Sequence, residues 1–301
     1  MAQLLLDGMP RRLFSCTPTR LASFEDCPRR YRMTYIDRPA PPKGPPWAHT
    51  SLGVSAHNAL HRWWDEPEPR RTPARAAELL RAGWIQDGWR DDEQSAAARE
   101  RAAAMCERYA AGLDPARPPR AVERQVATRT EILALHGRVD RLDERDGELV
   151  VVDYKTGRRP PEEGEARTSP ALALYAFAAE RMLRQRCRQV ELHHLPTGRV
   201  VVAEHTDESL ARHIRRAESV AVDAAAATER FAAGQPADVA FPPRPGPLCS
   251  WCDFRRHCPE GQAAGPELTP WAGAERFADA GGESTGGRST GGESTGGQPL
   301  D

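Results

Sequence analysis

A chain of 301 residues, 39% of them hydrophobic and 28% charged, carries enough apolar material for a substantial core in one large domain or two small ones. Its formal net charge of −1 excludes a protein that coats nucleic acid by bulk charge, while leaving room for a local basic groove. The longest apolar run, Ala171–Ala179, falls far short of a membrane span, and Leu4-Leu5-Leu6 lacks the flanks of a signal peptide, so a cytoplasmic protein without membrane attachment is expected.

In chain order, residues 1–14 read as a flexible lead-in. Thr19–Asp37 follows with Leu21, Phe24, Tyr31 and Tyr35 at helical spacing behind a Thr19 cap, and Cys27-Pro28 interrupts the run. Arg29 and Arg30 here, and Arg141 farther on, are candidate nucleic-acid contacts, set against the plainer reading of solvated charged faces. Pro39–Pro46 is a proline-rich connector. Ser51–Asp65 reads as a helix with His57 and His61 one turn apart, then Trp63 and Trp64. Residues 66–118 hold two Ala- and Arg-rich helices, Thr72–Arg90 and Glu93–Ala111, and name no chemistry; a helical insert that shapes a groove is the simplest reading.

The sheet begins at Ala121. Val122–Thr130, Ile132–Leu142 and Leu149–Thr156 are successive strands, the last two joined by the turn dipeptide Asp146-Gly147. A loop over Arg158–Ser169 precedes a helix from Ser169-Pro170 to about Cys187. Val190–Leu195 and Arg199–Glu204 form a hairpin, and Asp207 caps a long helix to about Ala233. Helices, three strands, a helix, two strands and a helix predict an α/β fold with a central mixed sheet flanked by helices. From Phe241 the chain turns irregular around FPPRPGPLCSWCDFRRHCPEG, and residues 264–301, with three copies of a Glu/Arg-Ser-Thr-Gly-Gly pentad, predict a disordered low-complexity tail.

The chemistry concentrates in Leu135–Gly157. The hairpin brings Asp140 near Asp153, and period-two alternation puts Lys155 on the same face as Asp153. Two carboxylates beside an ammonium suit Mg²⁺ or Mn²⁺, which want hard oxygen ligands. Of 42 basic residues only Lys43 and Lys155 are lysines, and the compact ammonium of lysine cannot be replaced by a guanidinium. On spacing alone, surface charges on an ordinary hairpin explain the same short pattern equally well. Cys249, Cys252 and Cys258 cluster three soft ligands, and a zinc or iron–sulfur site needs a fourth; locally, His257 would complete a zinc site. Cys16, Cys106 and Cys187 lack partners at ligand spacing and read as incidental thiols.

GRVDRLDERDGELVVVDYKTG resembles the core signature of RecB-family nucleases within the PD-(D/E)XK superfamily. SFEDCPRRYRMTYI, GVSAHNAL and VERQV are similar to the segments that accompany that signature. The resemblance implies a PD-(D/E)XK nuclease domain over 15–263, with an N-terminal helical region and a C-terminal cysteine loop at 249–258. It implies His57, Asp140, Asp153 and the Tyr154 carbonyl as metal ligands, with Lys155 as the catalytic lysine. It also implies a catalytic Tyr175 from the family's Gln-x-x-x-Tyr helix, although Ala171 stands where the Gln would be. Nucleases of the AddB and Cas4 type hold a 4Fe–4S cluster with one N-terminal and three C-terminal cysteines, which here implies Cys27, Cys249, Cys252 and Cys258, with zinc as the alternative. The expected activity is metal-dependent exonuclease cleavage of single-stranded DNA ends in repair or recombination. The alternative is a weakly active or inactive DNA-binding accessory subunit. No G-x-x-x-x-G-K-S/T loop occurs in the chain, so any unwinding implies a helicase partner.

Overall fold

The computed structural model describes residues 13–274. Nearly all of the expected lead-in, and the expected disordered tail beyond residue 274, lie outside the described residues. The sheet has six strands: β1 (Phe14–Cys16), β2 (Ala121–Arg129), β3 (Leu133–Arg145), β4 (Glu148–Lys155), β5 (Cys187–His194) and β6 (Arg199–Glu204). Their order is β1-β3-β4-β5-β6, with β2 also paired to β3. The helices are α1 (Pro18–Asp26), α2 (Pro28–Tyr35), α3 (Ala48–Asp65), α4 (Pro73–Ala82), α5 (Asp92–Ala111), α6 (Glu165–Thr168), α7 (Pro170–Leu183), α8 (Asp207–Ala232), α9 (Ala237–Ala240) and α10 (Pro259–Ala263). This is the mixed sheet flanked by helices that the sequence predicts. No described helix is long and apolar enough to cross a membrane.

The sheet is mixed because β3 is antiparallel to both β2 and β4, whereas β1 runs parallel to β3 and β5 parallel to β4. Strand β4 is hydrophobic on both sides because it is covered on both. Val150, Val152 and Tyr154 pack against α3–α5 with Leu60, Trp63 and Leu80, while Leu149 and Val151 join a second cluster with Leu172 and Leu174 of α7 and Val220 of α8. The β3–β4 turn places Asp146 (φ 52°) and Gly147 (φ 82°) in the left-handed region, as a two-residue hairpin turn requires.

Strand β3 is longer than any partner on one of its edges. Strand β1 pairs with residues 133–135 and β4 with 141–145, both opposite β2, so residues 136–140 pair with no strand on that side. Helix α7 comes up against this stretch, and Tyr175 lies on Gly137: a Cβ there would sit 2.5 Å from Tyr175 Cε1. Gly137 is therefore a close-approach glycine in the sense of needing no side chain.

Several boundaries differ from the sequence reading. The first helix is two, capped by Thr17 rather than Thr19 and divided at Cys27, because Pro28 cannot continue the hydrogen-bond ladder of α1. Helix α3 begins three residues early, at Ala48. Helix α4 stops at Ala82, where the Gly83 N–H caps Leu79 and Leu80, and the expected helix to Arg90 is instead a turn with Trp84 stacked on Trp89 at 5.3 Å. Helix α7 ends at Leu183 because Arg184 takes a left-handed cap (φ 54°), so Cys187 opens β5 instead of closing a helix. Thr206, not Asp207, caps α8. The lead-in closes into β1 at Phe14, and the described part of the expected tail folds back to place the Pro270 carbonyl 3.1 Å from the Ala48 N–H.

Substituting Gly137→Ala forces the Tyr175 ring off β3. The expected result is a loss of about 1–3 kcal/mol in a urea titration, the range for overpacking a filled site. An unchanged midpoint would show that the ring relaxes freely.

Candidate active site and cysteine cluster

Three carboxylates stand in one row across adjacent strands. Val122 pairs with Arg141 and Arg124 with Val139, which sets Glu123 opposite Asp140. Arg141 pairs with Val152, which sets Asp153 opposite Asp140 on the other side. Ladder pairing lapses at this row. Beyond it β4 follows β5 alone, and Asp140 Oδ2 accepts the freed Tyr154 N–H at 2.9 Å. Glu123 holds φ at 47°, a left-handed conformation that costs a non-glycine residue about 1–3 kcal/mol.

His57 enters from α3. Its Nδ1 is 3.4 Å from Asp140 Oδ1, and its Nε2 is 3.2 Å from the Tyr154 carbonyl oxygen. Both neighbours are acceptors, surroundings that favour the doubly protonated ring. The Tyr154 ring meets the His57 ring edge-on at 5.6 Å. Lys155 Nζ is 2.6 Å from Asp153 Oδ2, and Arg138 Nε is 2.6 Å from Glu123 Oε2.

The electrostatics follow from crowding these anions. Burial lowers the His57 pKa, but the hydrogen bond and charge of Asp140, with Asp153 and Glu123 behind, more than offset it and the net direction is up. Burial raises Asp153, Asp140 adds to the rise, and Lys155 opposes it. Tyr175 is pushed up to about 12 by burial and by the Asp153 and Asp140 carboxylates. Burial is the larger cause for Asp153 and Tyr175, and the neighbouring carboxylates add to the rise in all three groups, a crowding of negative charge that a cation relieves.

The residues fit a divalent metal. Ligand atoms of His57, Glu123 and Asp140 all lie within 4.8 Å of one another, the one such group among the described residues. Asp153 lies outside this group; its buried Oδ2 faces the Lys155 ammonium at 2.6 Å. Carboxylate oxygens, a peptide carbonyl and one imidazole make a mainly hard donor set. Glu123 thus belongs to the group; its sequence signal is its place in the VERQV segment, on the strand preceding the hairpin.

The arginines expected at nucleic acid are placed differently. Arg141 is 4% exposed, donating to Tyr109 Oη at 3.1 Å and to Asp143 at 2.8 Å. Arg29 is buried and ion-paired with Glu260 and Asp238. Arg30 pairs with Asp26 at 2.7 Å on a partly exposed surface.

Cys27, Cys249, Cys252 and Cys258 line one cavity of about 260 Å³, bringing the α1–α2 junction against the C-terminal loop. Three donors point at their sulfurs: Arg29 Nη1 at 3.3 Å and Gly261 N–H at 3.3 Å from Cys258 Sγ, and Gly246 N–H at 3.4 Å from Cys249 Sγ. Among the described residues no three of these sulfurs come within 4.8 Å of one another. His257 faces away, with Nε2 3.0 Å from the Pro42 carbonyl. Cys16, Cys106 and Cys187 are buried free thiols whose pKa values burial raises.

Compared with protein-family models, residues 15–259 match that of the PD-(D/E)XK nuclease superfamily. Among curated proteins no match was found.

With chelator present, the His57 imidazole is expected to titrate above its ordinary value near 6.5, and Asp140→Asn to lower that midpoint, read from ring-proton NMR shifts. The His57–Asp140 pair then stabilises the metal-free fold fully below the unfolded value, and this stability fades as pH rises through the raised folded one. A midpoint insensitive to Asp140→Asn would separate the two groups.

Proposed function

The chain belongs to the PD-(D/E)XK nuclease superfamily, and from that premise we propose that it is a divalent-metal-dependent DNA nuclease acting on single-stranded ends, in the manner of RecB-family exonucleases. The row Glu123–Asp140–Asp153, closed by His57 and Lys155, carries this reading. Asp140, Asp153, His57 and the Tyr154 carbonyl would hold Mg²⁺ or Mn²⁺, with Glu123 as a further carboxylate. The cation supplies Lewis-acid polarisation of a phosphoryl oxygen and acidification of a water.

The remaining work belongs to the chain. Asp140 fixes the site by accepting the Tyr154 N–H, which also aims the Tyr154 carbonyl toward His57. Lys155 is about half exposed and tethered to Asp153, so its ammonium can donate to a non-bridging oxygen as negative charge grows there. Tyr175 remains a neutral phenol at physiological pH and is able to donate a hydrogen bond at the same edge. Arg138 is 61% exposed beside Glu123 and offers a guanidinium to a neighbouring phosphate.

The cysteine cavity supports a 4Fe–4S cluster held by Cys27, Cys249, Cys252 and Cys258. Tetrahedral zinc with Zn–S bonds of about 2.3 Å sets sulfurs roughly 3.8 Å apart, closer than these thiols are grouped. Backbone and arginine donors aimed at sulfur also suit a cluster, whose bridging and terminal sulfurs accept such bonds. The cluster would clip the two ends of the domain together. The chain has no nucleotide-binding loop of its own, so a helicase partner would supply the unwound strand.

Purified protein is expected to release nucleotides from end-labelled single-stranded DNA with Mg²⁺ or Mn²⁺, and Asp153→Ala and Lys155→Ala to lower the rate at least about a hundredfold, the scale of losing one charge-stabilising group. Cleavage unchanged by both substitutions would end the assignment; DNA binding without cleavage by the unaltered protein would favour the accessory-subunit reading. The cluster predicts brown protein whose visible absorbance fades on reduction and is lost in Cys27→Ala. Colourless protein with one bound zinc would reject it.

A further inference from the structure

One exposed aromatic group lies on the side of α3 that leads to His57. Trp251, in the turn between Cys249 and Cys252, is 37% exposed, a large fraction for a tryptophan held in place by its neighbours. The Trp47 ring lies 5.1 Å away and the exposed His49 ring meets Trp251 edge-on at 5.4 Å. Trp47 is itself fixed, its Nε1–H donating to Asp253 Oδ1 at 3.1 Å, and Gly273 closes over the edges of Trp251 and His49. The aromatic plane is therefore preformed, so stacking on it orders little that is not already ordered.

Helix α3 links this plane to the carboxylate row. His49, Gly53 and His57 recur at four-residue spacing on one side of α3. Gly53 carries no side chain there, and the place of its missing Cβ is 3.3 Å from Thr156 Oγ1, the residue after Lys155, so α3 packs closely on the end of β4 at this point. At 1.5 Å per residue, His49 and His57 are separated by roughly 12 Å along the helix, which is about three steps of a stacked strand at 3.4 Å each. Lys43 and Arg256 are exposed nearby, and Arg256 and Trp47 share a cavity of about 390 Å³ in which Asp253 and Glu267 are the carboxylates. Asp253 is engaged by Trp47 and Lys43.

We propose that Trp251, backed by Trp47 and His49, is a nucleobase-stacking subsite that holds a single-stranded nucleic acid about three nucleotides from the bond to be cut. The inference rests on reading the row at Asp140 as a nucleic-acid hydrolase site. Bases already paired and stacked in a duplex cannot lie on such a plane, so the subsite selects single strands.

The test is fluorescence anisotropy of an end-labelled ten-nucleotide thymidylate with chelator present, so that no cleavage occurs. Trp251→Ala is expected to raise Kd about 5- to 100-fold, as loss of one base–aromatic stack does. Trp251→Phe should stay within about threefold of the unaltered protein, because a ring remains, and His49→Ala should weaken binding several-fold. Hydrolysis of thymidine 5′-p-nitrophenyl phosphate, too short to reach the plane, should be unchanged in all three. Equal Kd in Trp251→Ala and the unaltered protein, or no binding by the latter, overturns the subsite. If Trp251→Ala loses its cooperative melting transition, His49→Ala decides, and unaltered affinity there overturns it equally. Failure of the hydrolase reading is distinct: the unaltered protein would bind the oligonucleotide yet cleave neither it nor the small diester.

Discussion

The structure depends on a gap in one strand's pairing. Strand β3 is flanked along one edge by β1 and then by β4, with residues 136–140 between them unpaired by either. That gap frees Asp140 from an ordinary ladder position, while the registers of β2 and β4 bring Glu123 and Asp153 level with it on either side. Half-buried carboxylates at this spacing repel one another, and the cations and donors placed around them answer that repulsion: His57, Lys155, Arg138 and the Tyr154 N–H. The strained backbone at Glu123 is held by pairing on either side, at Val122 and at Arg124.

Behind the row, Tyr154 joins the site to the helical insert. Its ring packs against Tyr109 at 5.6 Å, and the Tyr109 hydroxyl lies 2.7 Å from His193 Nδ1 while accepting from Arg141. His193 continues to Glu191 at 2.8 Å, and Glu191 and Asp143 are both held by Arg145. This network stiffens the wall on which the Tyr154 carbonyl sits, although Arg141 Nε and Tyr154 Oη are buried within it without a hydrogen-bond partner; removing a partner of one of its buried charges, Arg141 or Glu191, would leave that charge uncompensated at a cost of about 3–5 kcal/mol. The insert therefore supports the site from behind as well as covering one face of the sheet.

How much of this was legible in sequence depends on range. The hairpin was readable because Asp146-Gly147 and the Val150–Val152 run are local signals, and the shared face of Asp153 and Lys155 on β4 follows from alternation once the turn is placed. The cysteines could be paired with one another only through the family resemblance, since more than 200 residues separate Cys27 from the rest. Arg141 and Arg29 were misleading for one reason: whether an arginine meets solvent is set by partners distant in sequence, Tyr109 for the one and Glu260 for the other. The part Glu123 plays was not readable from the residues alone, only its place in the VERQV segment from the resemblance, because a left-handed glutamate has no composition signature; the end of α7 was missed because Arg184 adopts a cap conformation usually taken by glycine.

The central claim is that the row at Asp140 is a divalent-cation site built by the fold. Anomalous diffraction from crystals soaked in Mn²⁺ tests it most directly. The prediction is a single strong peak within coordination distance of His57, Asp140, Asp153 and the Tyr154 carbonyl oxygen, absent from Asp140→Asn crystals. A peak elsewhere, or none at saturating Mn²⁺ in a well-ordered crystal, would contradict it.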